Sequence, residues 1–113
     1  MNGAYLPHHP FDPSAPPESR DVPVIISTTL EDAALRLTNW DLTDAGLAAL
    51  LNERYSGKAN EILDLYRPAA AGRTPYLVQA QVFTDSQTRA RAIAQAERKA
   101  AQGGAPAYMY IWE

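Results

Sequence analysis

The sequence has no cysteine and little excess charge of either sign. The lack of cysteine excludes a disulfide scaffold, a thiolate zinc site and cysteine catalysis. No apolar run approaches the roughly 20 residues that a membrane helix needs, and residues 1–10 lack the basic start and apolar stretch of a signal peptide. The 10 Lys and Arg against 13 Asp and Glu give a net charge of -3, which argues against a nucleic-acid partner. We expect a soluble chain with no membrane partner, and its cellular location stays open.

The overall composition is that of a globular chain. Of the 113 residues, 46% are hydrophobic and 20% are charged, which suits one small domain with one core. Five of the nine prolines lie within residues 1–17. Because proline fixes its own φ and keeps the preceding residue extended, residues 1–20 are predicted to be an extended, irregular connection. Residues 21–113 would then comprise a strand, several helices and a second strand.

Two short segments have the composition of buried strands. Residues 22–26 are a continuous, mostly β-branched run, and residues 107–112 are apolar or aromatic on both alternating faces. Both patterns predict strands that are covered on both faces, as in a parallel sheet. Tyr108, Tyr110 and Trp112 share one face of the second strand, where buried packing is a commoner role than a ligand platform.

Between the strands, apolar residues recur at helical spacing. They predict a series of helices, at residues 30–37, 43–55, 56–68, 75–83 and 86–102. The first of these would begin in a capping box, formed either by Thr28 with Glu31 or by Thr29 with Asp32. A strand, a turn and a helix would therefore follow one another between residues 22 and 37.

The later helices have their own boundary residues. Thr74-Pro75 is a capping residue followed by proline at the first helical position. Thr84-Asp85 is predicted to interrupt the helical run, and Gly103-Gly104 to end it.

These elements predict an α/β fold in which two sheet strands flank several helices. Two strands covered on both faces cannot cover one another, because a parallel sheet needs helices on each side and several strands. The pattern alone leaves two interpretations open. The chain is either an internal piece of a larger α/β domain, or a small, mostly helical domain with one two-stranded sheet.

Several segments agree in order and spacing with one known family. They are AYLP at residues 4–7, PFDP at 10–13, DVPVIISTTLEDA at 21–33, TD at 84–85, AERKA at 96–100 and AYMY at 107–110. The chain resembles type B carboxylesterases, which include para-nitrobenzyl esterases and cholinesterase-like enzymes of the α/β-hydrolase superfamily. That family carries a "DG..LP" segment, a "D.P.LIG.N.DEG" strand and turn, an "sD..F..P" helix and a "vY.Y.f" strand. The resemblance covers essentially the whole chain and rests on the order of modest motifs.

The resemblance implies that Asp32 is the acid of a catalytic triad. Glu31 takes the preceding acidic place of the family motif. This chain departs from the motif in having Ser27 and Ala33 in place of glycines, and aspartate in place of the usual glutamate. The shorter side chain would require a slightly closer histidine. Judged by its residues alone, Asp32 has a competing role as a capping carboxylate at a helix start.

The other triad members are missing from this chain. In this fold the nucleophile lies in a G-x-S-x-G turn and precedes the acid, and the histidine follows it. None of the serines here lies in such a pentapeptide, and the histidines, His8 and His9, precede Asp32. The resemblance therefore implies a segment of a larger enzyme that is inactive alone, with a small carboxylic ester as the parent's substrate and no cofactor.

Two further groups of residues suggest binding sites only weakly. His8 and His9 are adjacent, so they point apart in an extended chain, and no cysteine or acidic cluster completes a metal site around them. Four basic residues lie on the predicted last helix, namely Arg89, Arg91, Arg98 and Lys99. Acidic residues interleave with them and no aromatic residue stacks among them, so we expect a solvated helix face rather than a nucleic-acid patch.

Two hypotheses for function follow. The first is a segment of a serine esterase that supplies the triad acid. The alternative is an independent helical interaction module without catalysis, which binds a partner through apolar surface. In either case open strand edges predict that the isolated chain self-associates.

Overall fold

The structure is a computed structural model that describes residues 9–113. Contacts divide the chain into one unit of Met1–Leu30 with Gln87–Glu113 and a second unit of Glu31–Ser86. The described strands are β1 (Val24–Thr29) and β2 (Ala107–Trp112). The described α-helices are α1 (Asp44–Arg54), α2 (Ala59–Ala70), α3 (Pro75–Phe83) and α4 (Ala90–Ala101). Shorter helical segments are the 3-10 helices Pro17–Ser19 and Asp32–Arg36 and the π-helix Thr84–Arg89. The fold is therefore mixed helix and strand, as an α/β class requires.

The first unit contains a two-stranded parallel sheet. Val24 lies opposite Ala107, and Thr29 lies opposite Trp112. The parallel pairing and the bounds of β2 agree with the sequence prediction, whereas β1 begins two residues later than predicted. Pro23 lacks an amide hydrogen, so the pairing begins at the next residue, where Val24 N donates to the carbonyl oxygen of Pro106 at 3.1 Å.

The prediction that both strands are covered on both faces is wrong for this unit. Ile26 and Thr28 are buried on one face, on which α4 packs. On the other face Ile25 is 70% exposed and Trp112 is 61% exposed. A continuous apolar run indicates that a strand can be covered on both faces, but the described part of this unit supplies a layer on only one of them.

Proline-rich residues of the first unit are held by α4. Lys99 is completely buried, and its Nζ donates to the carbonyl oxygens of Ser19 at 2.6 Å and Arg20 at 2.9 Å. The side-chain amide of Gln102, the residue directly after α4, donates to the carbonyl oxygen of Pro16 at 2.7 Å. The solvated helix face expected for the basic residues is therefore wrong at Lys99, because the preceding segment folds over this ammonium group.

The second unit has its own hydrophobic core, built by α1, α2 and α3. Its buried members are Leu47, Leu51, Ala59, Val78, Val82 and Phe83. The predicted helices 43–55 and 75–83 are confirmed, since Thr43 and Thr74 cap α1 and α3. The predicted helix 56–68 begins later, because the turn at Ser56 and Gly57 has positive φ, and it continues through Pro68 to Ala70.

The helix predicted at residues 30–37 is instead a short 3-10 helix, Asp32–Arg36. β1 extends through Thr28 and Thr29, so these residues take part in strand pairing and lie before the helix start. The residue at the N-cap position is Glu31, whose side chain makes no capping hydrogen bond.

Candidate functional site

The candidate triad acid lies directly after a parallel strand. Asp32 is the first residue of the 3-10 helix and is half-buried. β1 ends at Thr29, and one more backbone hydrogen bond, from Leu30 N to the carbonyl oxygen of Trp112 at 2.9 Å, extends the pairing. In open α/β sheets, functional residues lie in the segments that follow the carboxyl ends of strands. Asp32 occupies such a segment.

The residue before Asp32 is fixed by an ion pair within the second unit. The guanidinium group of Arg73 contacts the carboxylate of Glu31, and the two side chains are only 18% and 26% exposed. Arg73 also donates to the side-chain oxygen of Gln81 at 3.2 Å. Because the pair is partly buried, salt screens its attraction less than that of a surface pair, so the pair gives Glu31 a structural role.

The residue after Asp32 is fixed by a buried hydroxyl group. The amide of Ala33 donates to Oγ1 of Thr84 at 2.9 Å, and Thr84 in turn donates to the carbonyl oxygen of Ala80 at 2.8 Å. Thr84 is completely buried. Its hydroxyl therefore links the backbone beside Asp32 to the end of α3.

The 3-10 helix is held at a third point by a buried tyrosine. The hydroxyl of Tyr76 donates to the carbonyl oxygen of Ala34 at 2.9 Å. The Tyr76 ring lies 4.9 Å from that of Trp40, centroid to centroid. Glu31, Ala33 and Ala34 thus each have a partner on α3 or on residues that adjoin it.

The predicted interruption at Thr84-Asp85 is confirmed, since these residues begin the π-helix Thr84–Arg89. Asp85 accepts a hydrogen bond from the hydroxyl of Tyr66 at 2.6 Å, and the hydroxyls of Ser86 and Tyr55 are 2.8 Å apart. π-Helical turns are often found at functional sites. The pattern located the interruption, but it gave no indication of the tyrosine partners on other helices.

The other sequence-predicted residues have ordinary environments. His8 lies outside the described residues, and His9 is exposed, with Nδ1 2.8 Å from the carbonyl oxygen of Pro10. Within residues 9–113, no group of three or more His, Cys, Asp or Glu side chains could hold a metal ion. Arg89 donates to the carbonyl oxygen of Thr29 at 2.9 Å, so it is bound to β1.

The aromatic residues of β2 share one face, as predicted, but this face is exposed. Tyr108 and Tyr110 are exposed, and the rings of Tyr110 and Trp112 meet edge to face at 5.5 Å. The expected buried packing is therefore not found in the described part of the chain. These rings form a row on the face of the sheet opposite α4.

No protein-family model matches the chain, and no curated protein matches it. Among residues 9–113, none of the helices has both the length and the apolar character needed to span a membrane.

Proposed function

We propose that this chain is a segment of a carboxylic ester hydrolase of the α/β-hydrolase type, in which Asp32 is the acid of a serine triad. The observation that carries the proposal is the position of Asp32, in the first turn after a parallel strand, with both neighbouring residues held in place. The sequence resemblance to type B carboxylesterases assigns the acid to the same residue.

The proposed chemistry uses Asp32 indirectly. A serine of the parent enzyme attacks the ester carbonyl carbon, the alcohol leaves, and water hydrolyses the acyl-enzyme. A histidine takes the serine proton and returns it to the leaving alcohol. Asp32 would hold that imidazole in one tautomer and stabilise the imidazolium that forms. The serine and the histidine would come from parts of the parent enzyme outside this chain, so the isolated chain would be inactive.

The exposed face of the sheet supports a larger parent domain. Parallel sheets are found almost entirely with both faces covered by helices. Here Ile25, Tyr108 and Trp112 lie on a face that the described residues leave exposed. A parent domain of the α/β-hydrolase type would cover these side chains and add strands beside β1 and β2.

The ion pair of Glu31 with Arg73 argues against Glu31 as the triad acid. Two adjacent carboxylates match the family motif, and only one can orient a histidine. Glu31 is engaged by Arg73. To act as the triad acid, Glu31 would have to leave a partly buried arginine without an acidic partner, which is unfavourable.

The test of this proposal is a pair of substitutions in the complete enzyme, rebuilt from the flanking coding sequence. Asp32→Asn keeps the shape of the side chain but would hold the histidine in the wrong tautomer. We expect kcat to fall by about 10⁴-fold, as in other triads that lose their acid, while the melting temperature changes little. Glu31→Gln is the matched control, and we expect near-normal kcat.

Each contrary outcome has a definite meaning. Normal turnover in Asp32→Asn together with lost turnover in Glu31→Gln would move the acid to Glu31. Normal turnover in both variants would reject the triad assignment and leave the alternative, an interaction module without catalysis. Flanking reading frames that lack a G-x-S-x-G segment upstream and a histidine downstream would reject the esterase parent itself.

A further inference from the structure

We infer that Thr84 is a positioning residue for the Asp32 carboxylate, an inference that rests on the proposed triad. Thr84 does not touch the site of chemistry. It would act through one backbone amide, that of Ala33, which its side chain holds across a sequence separation of 51 residues. Neither the sequence motif nor the proposed function assigns this role.

The hydroxyl of Thr84 makes one hydrogen bond as an acceptor and one as a donor. It accepts a hydrogen bond from Ala33 N at 2.9 Å and donates one to the carbonyl oxygen of Ala80 at 2.8 Å. A hydroxyl hydrogen can rotate, but the bond to Ala80 fixes it and leaves the oxygen lone pairs directed toward the Ala33 amide. Because Thr84 is completely buried, water cannot replace either bond.

This bond restrains the backbone from which the Asp32 side chain projects. The amide of Ala33 belongs to the peptide plane that joins it to Asp32, so holding that amide restricts the ψ angle of Asp32. The ion pair between Glu31 and Arg73 restrains the residue on the other side. The Cα–Cβ bond of Asp32 is then directed by its backbone on both sides.

Accurate direction matters because a triad acid acts through geometry. A displacement of about 1 Å at a catalytic group can reduce turnover by about 100-fold. The carboxylate of aspartate is one methylene shorter than that of glutamate, so it has fewer side-chain torsions with which to correct a backbone error. A fixed backbone next to Asp32 therefore has more influence here than it would beside a glutamate.

The place of Thr84 in the chain suits this role. It is the first residue of the π-helix Thr84–Arg89, directly after α3. Its neighbour Asp85 is held by Tyr66 at 2.6 Å. The hydroxyl of Thr84 therefore lies at the end of α3, and the hydrogen bond from Tyr66 to Asp85 holds the next residue in place.

The first experiment measures the contact itself in the chain as it exists. Thr84→Val removes the hydroxyl and keeps the branched shape, and Thr84→Ser keeps the hydroxyl. We expect hydrogen exchange of the Ala33 amide, measured by NMR, to be about tenfold faster in Thr84→Val, in line with the loss of one hydrogen bond. We expect Thr84→Ser to stay within about threefold of the unmodified chain.

A matched control removes a different bond to the same 3-10 helix. Tyr76→Phe deletes the hydroxyl that binds the carbonyl oxygen of Ala34 and leaves Thr84 intact. We expect the exchange of the Ala33 amide to change little in this variant. Equal acceleration by Tyr76→Phe and Thr84→Val would show a general loosening of the helix and would overturn a specific role for Thr84.

The second experiment measures turnover in the complete enzyme. We expect Thr84→Val to lower kcat by about 10- to 100-fold with KM nearly unchanged, because the triad is misaligned while substrate binding is not. We expect Thr84→Ser to restore most of the activity. A lower melting temperature with normal kcat would assign Thr84 a structural role only and would overturn the inference.

Two further comparisons keep the outcomes distinct. If Thr84→Val does not fold, Thr84→Cys is the replacement, because a thiol is a weaker hydrogen-bonding group than a hydroxyl. Thr84→Cys should have a lower kcat than Thr84→Ser, and equal kcat values would overturn the inference.

Failure of the proposed function would be seen differently, as normal turnover in Asp32→Asn. Unchanged exchange of the Ala33 amide in Thr84→Val would reject the Thr84 contact whatever the function of Asp32.

Discussion

Two buried polar side chains, Lys99 and Thr84, each join segments that are far apart in the sequence. Lys99 has three donor hydrogens and three oxygen acceptors, which belong to Ser19, Arg20 and Gln102. A buried ammonium group is tolerated only when its hydrogen bonds are made. The arrangement explains how a lysine can be completely buried in the first unit.

Replacement of Lys99 by methionine tests this role. Lys99→Met keeps an unbranched side chain, one heavy atom shorter, but removes the hydrogen bonds to the carbonyl oxygens of Ser19 and Arg20. We expect the free energy of unfolding to fall by about 1–3 kcal/mol, because buried acceptors lose a charged donor. Urea unfolding followed by circular dichroism measures the change.

Arg91 provides the control for Lys99 because it lies on the same helix, α4, and is exposed. Arg91→Met should change the free energy of unfolding by no more than about 0.5 kcal/mol, as at other surface positions. Equal effects of the two substitutions would contradict a special role for the buried ammonium group.

At the scale of elements, local capping chemistry determines where a helix begins more closely than it determines where a helix ends. Thr43 accepts a hydrogen bond from Gly46 N at 3.1 Å and caps α1, at the residue where the sequence predicts this helix to begin. By contrast, α2 continues two residues beyond Pro68, although proline was expected to end it. Core contacts of Tyr66 and Ala70 on α2 accompany this extension.

The cap of α1 can be tested directly. Thr43→Ala removes the acceptor for Gly46 N. We expect the free energy of unfolding to fall by about 1 kcal/mol, the usual effect of losing an N-cap, and thermal denaturation of the chain measures it. Thr38→Ala is the control, because Thr38 is exposed and precedes no helix start; an equal loss there would rule out capping as the cause.

At the scale of the whole molecule, the uncovered face of the sheet is the feature that favours association between chains. Ile25, Tyr110 and Trp112 lie on it, and β1 and β2 pair only with one another among the described residues. Exposed apolar side chains and unpaired strand edges favour association with other chains. Without the covering layer proposed for the parent enzyme, the chain would use this face to bind copies of itself.

Sedimentation velocity of the isolated chain tests this expectation. The average mass should rise with protein concentration. The double substitution Ile25→Lys with Trp112→Lys places charge on the face and should shift the distribution toward the monomer. Leu65→Lys is the control, since Leu65 is 79% exposed on α2 and should not alter association. A monomer at all concentrations would contradict the interpretation of the sheet as an uncovered surface.

The sequence by itself determined the elements whose boundaries depend on local chemistry. It predicted β2, the start of α1, the capped start of α3, the interruption at Thr84 and the helix stop near Gly103, because each depends on residues a few positions apart. It also placed an acidic residue directly after a strand, and this order along the chain needs no tertiary information.

Only the tertiary structure decided which groups are buried and which partners they have. Three interactions join residues that lie 42 to 80 positions apart in the sequence. They are the hydrogen bond from Lys99 to Ser19, the ion pair of Glu31 with Arg73 and the hydrogen bond from Ala33 to Thr84. No local pattern encodes such pairs, since they depend on how whole segments pack. For the same reason, a strand can be apolar on both faces in the sequence and still have one face exposed, because coverage depends on a second layer and not on the strand itself.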